Sequence, residues 1–265
     1  MKALNSIFKN TYSALIFLFL YAPIAVLIIF SFNESKSRGS WGGFSLKWYA
    51  SLFQNSAIME ALANTLIIAV VSALAATVIG TFAAIGINSM GKVSQGILMN
   101  VSYLPVLNAD IVTGVSLLVL FIFIGIPLGR VSLLLSHITF NIPYVILSVM
   151  PKLKQMNKHS YEAALDLGCT PFKAIMKVVL PEIMPGVVTG AFLAFTLSID
   201  DFVISFFTTG PGVSTLSIEI YSMVRRGIKP EINALSSIMF VVVLLLLILV
   251  NVRATRGQKK EHGRH

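Results

Sequence analysis

Residues 152–187 read KLKQMNKHSYEAALDLGCTPFKAIMKVVLPEIMPGV. This polar, lysine-bearing interval separates two long apolar runs, and its chemistry predicts two short helices meeting at a tight corner. The first helix runs through SYEAALDL, and Gly168 follows where a left-handed residue ends a helix. Thr170 suits an N-cap and Pro171 the first helical position of the second helix, FKAIMKVVL, which Pro181 is expected to close. Ala163, Ala164 and Leu167 give the first helix a small apolar face suited to a partner's groove, and five lysines surround it.

Outward from this interval the chain is apolar. Of 265 residues, 56% are hydrophobic and only 12% charged, with a mean hydropathy of +0.84. Ordinary soluble domains carry about 25% charge, and a soluble fold of this composition would expose large apolar patches. The expectation is a single-domain, all-α polytopic membrane protein. Six stretches, 12–32, 61–87, 97–124, 131–150, 186–208 and 232–252, each reach the ~20 residues a helix needs to cross a bilayer. The first is too long for a signal peptide, and FSFNESKS offers no small-residue cleavage site.

The net charge of +9 does not point to nucleic acid, because the charges sit in the breaks between apolar runs and in the basic tail 253–265. With both termini on one side, that side carries thirteen Lys and Arg and the other seven, so both ends are expected in the cytoplasm. The lone Cys169 excludes an internal disulfide. In the outer loop, WGGFSLKWYASLF suits an interfacial helix with Trp41, Phe44, Trp48, Tyr49 and Phe53 at headgroup depth. GINSMGKV nearly spells a phosphate-binding loop, but Val93 stands where Ser or Thr would hold magnesium, and the run leaves a membrane helix. ATP chemistry is therefore expected on another chain.

Three acids interrupt the apolar runs: Asp110, and the pair Asp200-Asp201 in LSIDDFVISFF. Counted along continuous helices, Asp110 and Asp200 each stand about 20 Å from the cytoplasmic start of their spans. Pro105 and Asn108 interrupt YLPVLNAD, a pattern of cavity-lining helices. Adjacent helical residues point about 100° apart, so Asp200 and Asp201 cannot share one target, and one of them could be structural, by pairing or capping. His137 and Asn141, four apart, share a face suited to interhelical hydrogen bonds.

Glu162-Ala163-Ala164, Gly168, Val178 and Leu180-Pro181 follow the spacing E-A-A, three residues, G, nine residues, I, one residue, L-P, with Val178 for isoleucine. This run resembles the EAA loop of ABC importer permeases. WGGFSLKWYASL, LLSHITFNIPYVI, LSIDDFVISFFTTGP and IYSMVRRGIKPEINAL extend the resemblance to the PotC-type permease subunits of spermidine/putrescine importers, over roughly residues 10–250.

The resemblance implies a type I importer permease fold of about six transmembrane helices in a bacterial inner membrane. It also implies a second permease subunit, two ATPase subunits that hold ATP and magnesium, and an extracytoplasmic polyamine-binding protein. Glu162, Ala163, Ala164 and Gly168 would couple to the ATPase, and no catalytic site or cofactor is expected on this chain. Polyamine amines titrate near lysine, and a cation within the bilayer costs at least ~2.5–3.5 kcal/mol per charge. Asp110, Asp200 and Asp201 would offset that cost, with Tyr103 as an aromatic wall. Glu219, Glu231, Arg225 and Arg226 could meet the binding protein or form a solvated face. Other small cargoes remain open. An intramembrane aspartyl protease using Asp110 and Asp201 would lack the Gly-x-Gly-Asp flanks and leave the EAA loop unexplained.

Overall fold

A computed structural model describes residues 2–35, 40–226 and 230–245, with side chains from residue 11 onward and that of Lys158 excepted. The described regular structure is helical. In chain order the helices are α1 (Lys2–Ser31), α2 (Lys47–Gln54), α3 (Ser56–Ser89), α4 (Lys92–Leu107), α5 (Asp110–Ile124), α6 (Arg130–Gln155), α7 (Lys158–Asp166), α8 (Pro171–Ala174), α9 (Leu180–Asp200), α10 (Val203–Thr208) and α11 (Leu216–Arg226). A further helix, α12, is described over Glu231–Leu245. Two compact units emerge, one of residues 1–59 with 220–265 and one of residues 60–219.

Four described helices are long and apolar enough to cross a membrane: Thr11–Ser31, Ser56–Ser89, Arg130–Gln155 and Pro171–Asp200. The pair α4 and α5, bent by 104° at their junction, is apolar enough only when taken together, as a broken span or a re-entrant loop. The expected span 97–124 is therefore not one helix, and depth cannot be counted straight through it. Pro105 withdraws one backbone donor, and Asn108 and Ala109 turn extended, which ends α4. The sixth expected span, 232–252, begins in α12, and its remainder lies outside the described residues, as do Lys36, Arg38, Lys229 and the basic tail.

The loop folds largely as its spacing predicts. Asn157 caps α7 by accepting the His159 N–H at 3.1 Å. Gly168, at φ +84°, closes it: its N–H reaches the Leu165 carbonyl and that of Cys169 the Ala164 carbonyl. These two bonds form a Schellman motif, and the left-handed φ favours glycine there. Thr170 accepts the Lys173 N–H, and Pro171 opens α8.

Pro181, however, does not end the second helix. Ile175–Val179 form a π-helical turn, and the Leu180 N–H bonds back to the Ile175 carbonyl. The chain then continues as α9 with Pro181 in its first turn, where a missing N–H is tolerated.

The core of the second unit is a contact of α3, α6 and α9 around Ala76, Ala84, Val145, Val149, Ile183 and Ala194. Lipid supplies no hydrophobic drive between helices, so close approach through small residues holds them. A Cβ on Gly186 would stand 3.0 Å from the Ser148 carbonyl oxygen of α6, and one on Gly190 3.2 Å from the Val145 Cα. Gly186, Gly190, Ala194 and Ser198, four apart in sequence and all buried, are the face that α9 turns inward.

In the first unit, α2 is less interfacial than its aromatic content suggests. Trp48 is 5% exposed, and its Nε1 donates to the Asn33 carbonyl at 2.7 Å. Tyr49 and Ser31 share a hydroxyl contact of 2.7 Å. Trp41, Phe44 and Phe53 remain exposed, as an interfacial role requires. Ser51 of α2 donates to Glu231 at 2.7 Å, which gives one of the acids expected in the outer loop an internal partner.

Candidate functional site: carboxylates at two helix breaks

The three intramembrane acids occupy helix breaks. Asp110 is the first residue of α5, directly after the α4–α5 bend. Asp200 is the last residue of α9, and Asp201 and Phe202 separate it from α10. The expected span 186–208 is thus two helices. No proline or glycine lies between Ile199 and Phe207 to announce the break.

Asp201 makes the break. Its Oδ1 accepts the Ile204 N–H at 3.2 Å and its Oδ2 the Ser205 N–H at 2.7 Å. The carboxylate caps α10, satisfying donors that have no partner within the helix. Its side chain is 7% exposed and lies 3.6 Å from His137 Nε2. That ring nitrogen lies 3.0 Å from Ser205 Oγ, so His137 of α6 bridges the cap and the helix it caps. One turn along α6, Asn141 donates to Ser198 Oγ at 2.7 Å, and Ser198 meets Ser72 of α3 at 3.1 Å. The interhelical bonding expected of His137 and Asn141 is observed, and the missed partners are the serines. Their signal is faint, because a buried serine in an apolar run is usually satisfied by its own helix.

Asp110 and Asp201 come to the same stretch of α6. Gly114, one turn beyond Asp110, faces α10: a Cβ there would stand 3.1 Å from the Phe207 ring and 3.5 Å from the Ile204 Cα. At the other end, Ser132 at the start of α6 donates to the Thr208 carbonyl at 2.8 Å. The half-helices α5 and α10 therefore run side by side in the same direction, with both N-termini at the acid end. Asp201 contacts His137, and Asp110 lies within electrostatic reach of the Tyr144 phenol. Those two α6 residues stand about 10 Å apart along the axis. Tyr144 extends the His137–Asn141 face by one more turn, and the sequence reading missed it.

The three acids differ electrostatically. Helix N-termini carry partial positive charge, which favours Asp110 in the first turn of α5 and Asp201 as the cap of α10. Asp200 ends a helix, where the partial charge is negative and a carboxylate is disfavoured. It is exposed and makes no hydrogen bond among the described residues. Asp201 has both oxygens on backbone N–H groups, so it is not poised as a protease acid or base. Tyr103 is 42% exposed on α4, across the bend from Asp110, with no hydrogen bond among the described residues.

The residues expected to couple to the ATPase, Glu162, Ala163, Ala164 and Gly168, sit on α7 and its corner. Glu162 and Ala163 are exposed, and Glu162 Oε2 lies 3.2 Å from His159 Nδ1. Ala164 is 8% exposed and turned inward, so of the apolar face read from sequence only Ala163 and Leu167 point out. Leu167 is 86% exposed, and beyond the corner Phe172, absent from that reading, is 65% exposed.

The chain is similar to known transport permeases. The PotC spermidine/putrescine transport system permease protein of Shigella flexneri is 40% identical over 260 residues, 98% of each chain. The PotI putrescine transport system permease protein of Escherichia coli strain K12 is 42% identical over 230 residues, 84% of this chain and 82% of that one. Among solved structures, a bacterial ABC transporter involved in import of the acidic polysaccharide alginate has a chain that superposes with a TM-score of 0.74 at 18% identity, covering 96% of each. It shares the fold. The model of the binding-protein-dependent transport system inner membrane components matches residues 76–258. With a sequence signature and a helical architecture that agree, this chain belongs to the family of binding-protein-dependent transport system inner membrane components, and is a transporter subunit rather than an enzyme.

Proposed function

We propose that this chain is the polyamine-conducting permease subunit of an ATP-driven importer. It pairs with a second permease subunit and receives spermidine or putrescine from an extracytoplasmic binding protein. Two ATPase subunits hold ATP and magnesium and dock on the loop at Glu162, Ala163 and Gly168. Ala164 packs behind that surface, and both termini are cytoplasmic. The observation that carries the reading is Asp200: an exposed carboxylate without a hydrogen-bond partner among the described residues, at the negative end of α9, inside an apolar span. Such a group is best stabilised by a cation. Asp110 and Tyr103 flank the same route, and Asp201 shapes it by holding the α9–α10 break. The names of the relatives support the cargo.

The test is uptake of labelled spermidine and putrescine in cells lacking their own importers. The chain is expressed with its ATPase, second permease and binding protein. Asp200→Asn is expected to lower uptake at least 10-fold with assembly intact, the loss of one charge-assisted contact of about 1.5–3 kcal/mol. Unchanged uptake would remove Asp200 from the route. An assembled wild-type complex that imports no polyamine would discard the cargo.

A further inference from the structure

We propose that one face of α9 is the track along which the cationic cargo leaves Asp200 toward the cytoplasm, a deepening that rests on the polyamine reading. At 100° per residue, Glu182, Pro185, Thr189, Thr196 and Asp200 fall within a sector of about 60°. All five are exposed. The rotation of α9 is set independently, by Gly186, Gly190, Ala194 and Ser198 packed inward on the α3–α6 side. From Glu182 to Asp200 the stripe is about 27 Å long, close to the thickness of the hydrocarbon layer.

The stripe offers acceptors and no free donors. Thr189 Oγ1 donates its proton to the Pro185 carbonyl at 2.8 Å, and Thr196 Oγ1 donates to the Phe192 carbonyl at 2.8 Å. Each hydroxyl is left with lone pairs facing outward. Pro185 has no N–H, so it gives no bond to the Pro181 carbonyl one turn earlier. Carboxylates stand at both ends, and no lysine or arginine interrupts the stripe. Alkylammonium groups are the reverse, all donors and no acceptors. A threonine can also face lipid when its proton is given to its own helix. The threonines alone would carry little; the terminal acids on the same narrow face distinguish a cation track from a lipid-facing surface.

The experiment uses the assembled complex in proteoliposomes with Thr189→Cys, Thr196→Cys or, as an apolar control, Leu74→Cys on the exposed side of α3. Each is treated with a membrane-impermeant trimethylammonium methanethiosulfonate, and mass spectrometry separates each new thiol from Cys169. Both α9 thiols are expected to react at least 10-fold faster than the Leu74 position, and spermidine should slow them several-fold. Thr196→Val is expected to raise KM for spermidine uptake roughly 3- to 10-fold through loss of one acceptor. The track is overturned if the α9 thiols react no faster than the control. It is equally overturned if spermidine leaves their reaction unchanged in a complex that imports spermidine. A wild-type complex that imports no polyamine refutes the cargo instead, and reactivity toward the cationic reagent then decides whether α9 lines a cation route.

Discussion

Asp200 and Asp201 are neighbours in sequence with opposite structural roles, so exchanging each for alanine should separate stability from transport. Asp201 accepts two backbone N–H groups of α10 at 3.2 and 2.7 Å, and its side chain is 7% exposed. Loss of an N-cap costs about 1–2 kcal/mol. For a chain of this size about 1 kcal/mol corresponds to roughly 2–4 °C in Tm. Asp201→Ala should therefore lower Tm by about 2–8 °C. Asp201→Ser, which keeps an acceptor, should recover much of that loss. Asp200 makes no hydrogen bond among the described residues and opposes the dipole of the helix it ends, so Asp200→Ala should leave Tm unchanged or raise it slightly. The assay is thermal unfolding of the purified chain in detergent, followed by far-ultraviolet circular dichroism, beside uptake by the assembled importer. Equal Tm losses for the two alanines, or a larger loss at Asp200, would refute the division of roles.

Further outcomes follow from single contacts. Gly210→Ala would drive a Cβ into the Leu128 carbonyl oxygen, a backbone clash that cannot rotate away, so the variant should fail to accumulate as a monodisperse species on size exclusion. Trp48→Phe removes the 2.7 Å bond to the buried Asn33 residue's carbonyl and should cost about 1–2 kcal/mol, seen as a Tm loss of several degrees. Leu167→Asp, on an exposed site of the coupling loop, should abolish co-purification of the ATPase while leaving the Tm of the isolated chain unchanged.

Much of the fold was readable because its signals are local. The corner at Gly168 follows from residues within one turn of it, and its Schellman bonds span five positions at most. The α4–α5 break was foreshadowed by Pro105 and Asn108, though the size of the bend was not. The fate of Pro181 was misread because proline ends a regular α-helix but is accommodated just beyond a π-helical turn, and no side chain between Ile175 and Val179 spells that turn. Trp48 was expected at the membrane surface, yet a carbonyl fifteen residues away claims its indole N–H.

The residues alone were enough to read a helical membrane protein, a long loop folded as a two-helix corner, and three carboxylates within apolar spans. These properties depend on composition and on spacing over a few residues. The tertiary fold decided which of two neighbouring carboxylates is turned inward and which outward. Asp201 caps α10 through the Ile204 and Ser205 N–H groups beside it, and His137, sixty-eight positions from Ser205, bridges the α9–α10 break from α6. Asp200 is left outward because glycines and Ser198 turn the other face of α9 onto α6 and α3. Whether a carboxylate turns inward or outward follows from how its helix packs, and packing partners brought from distant helices leave no trace in the residues beside it.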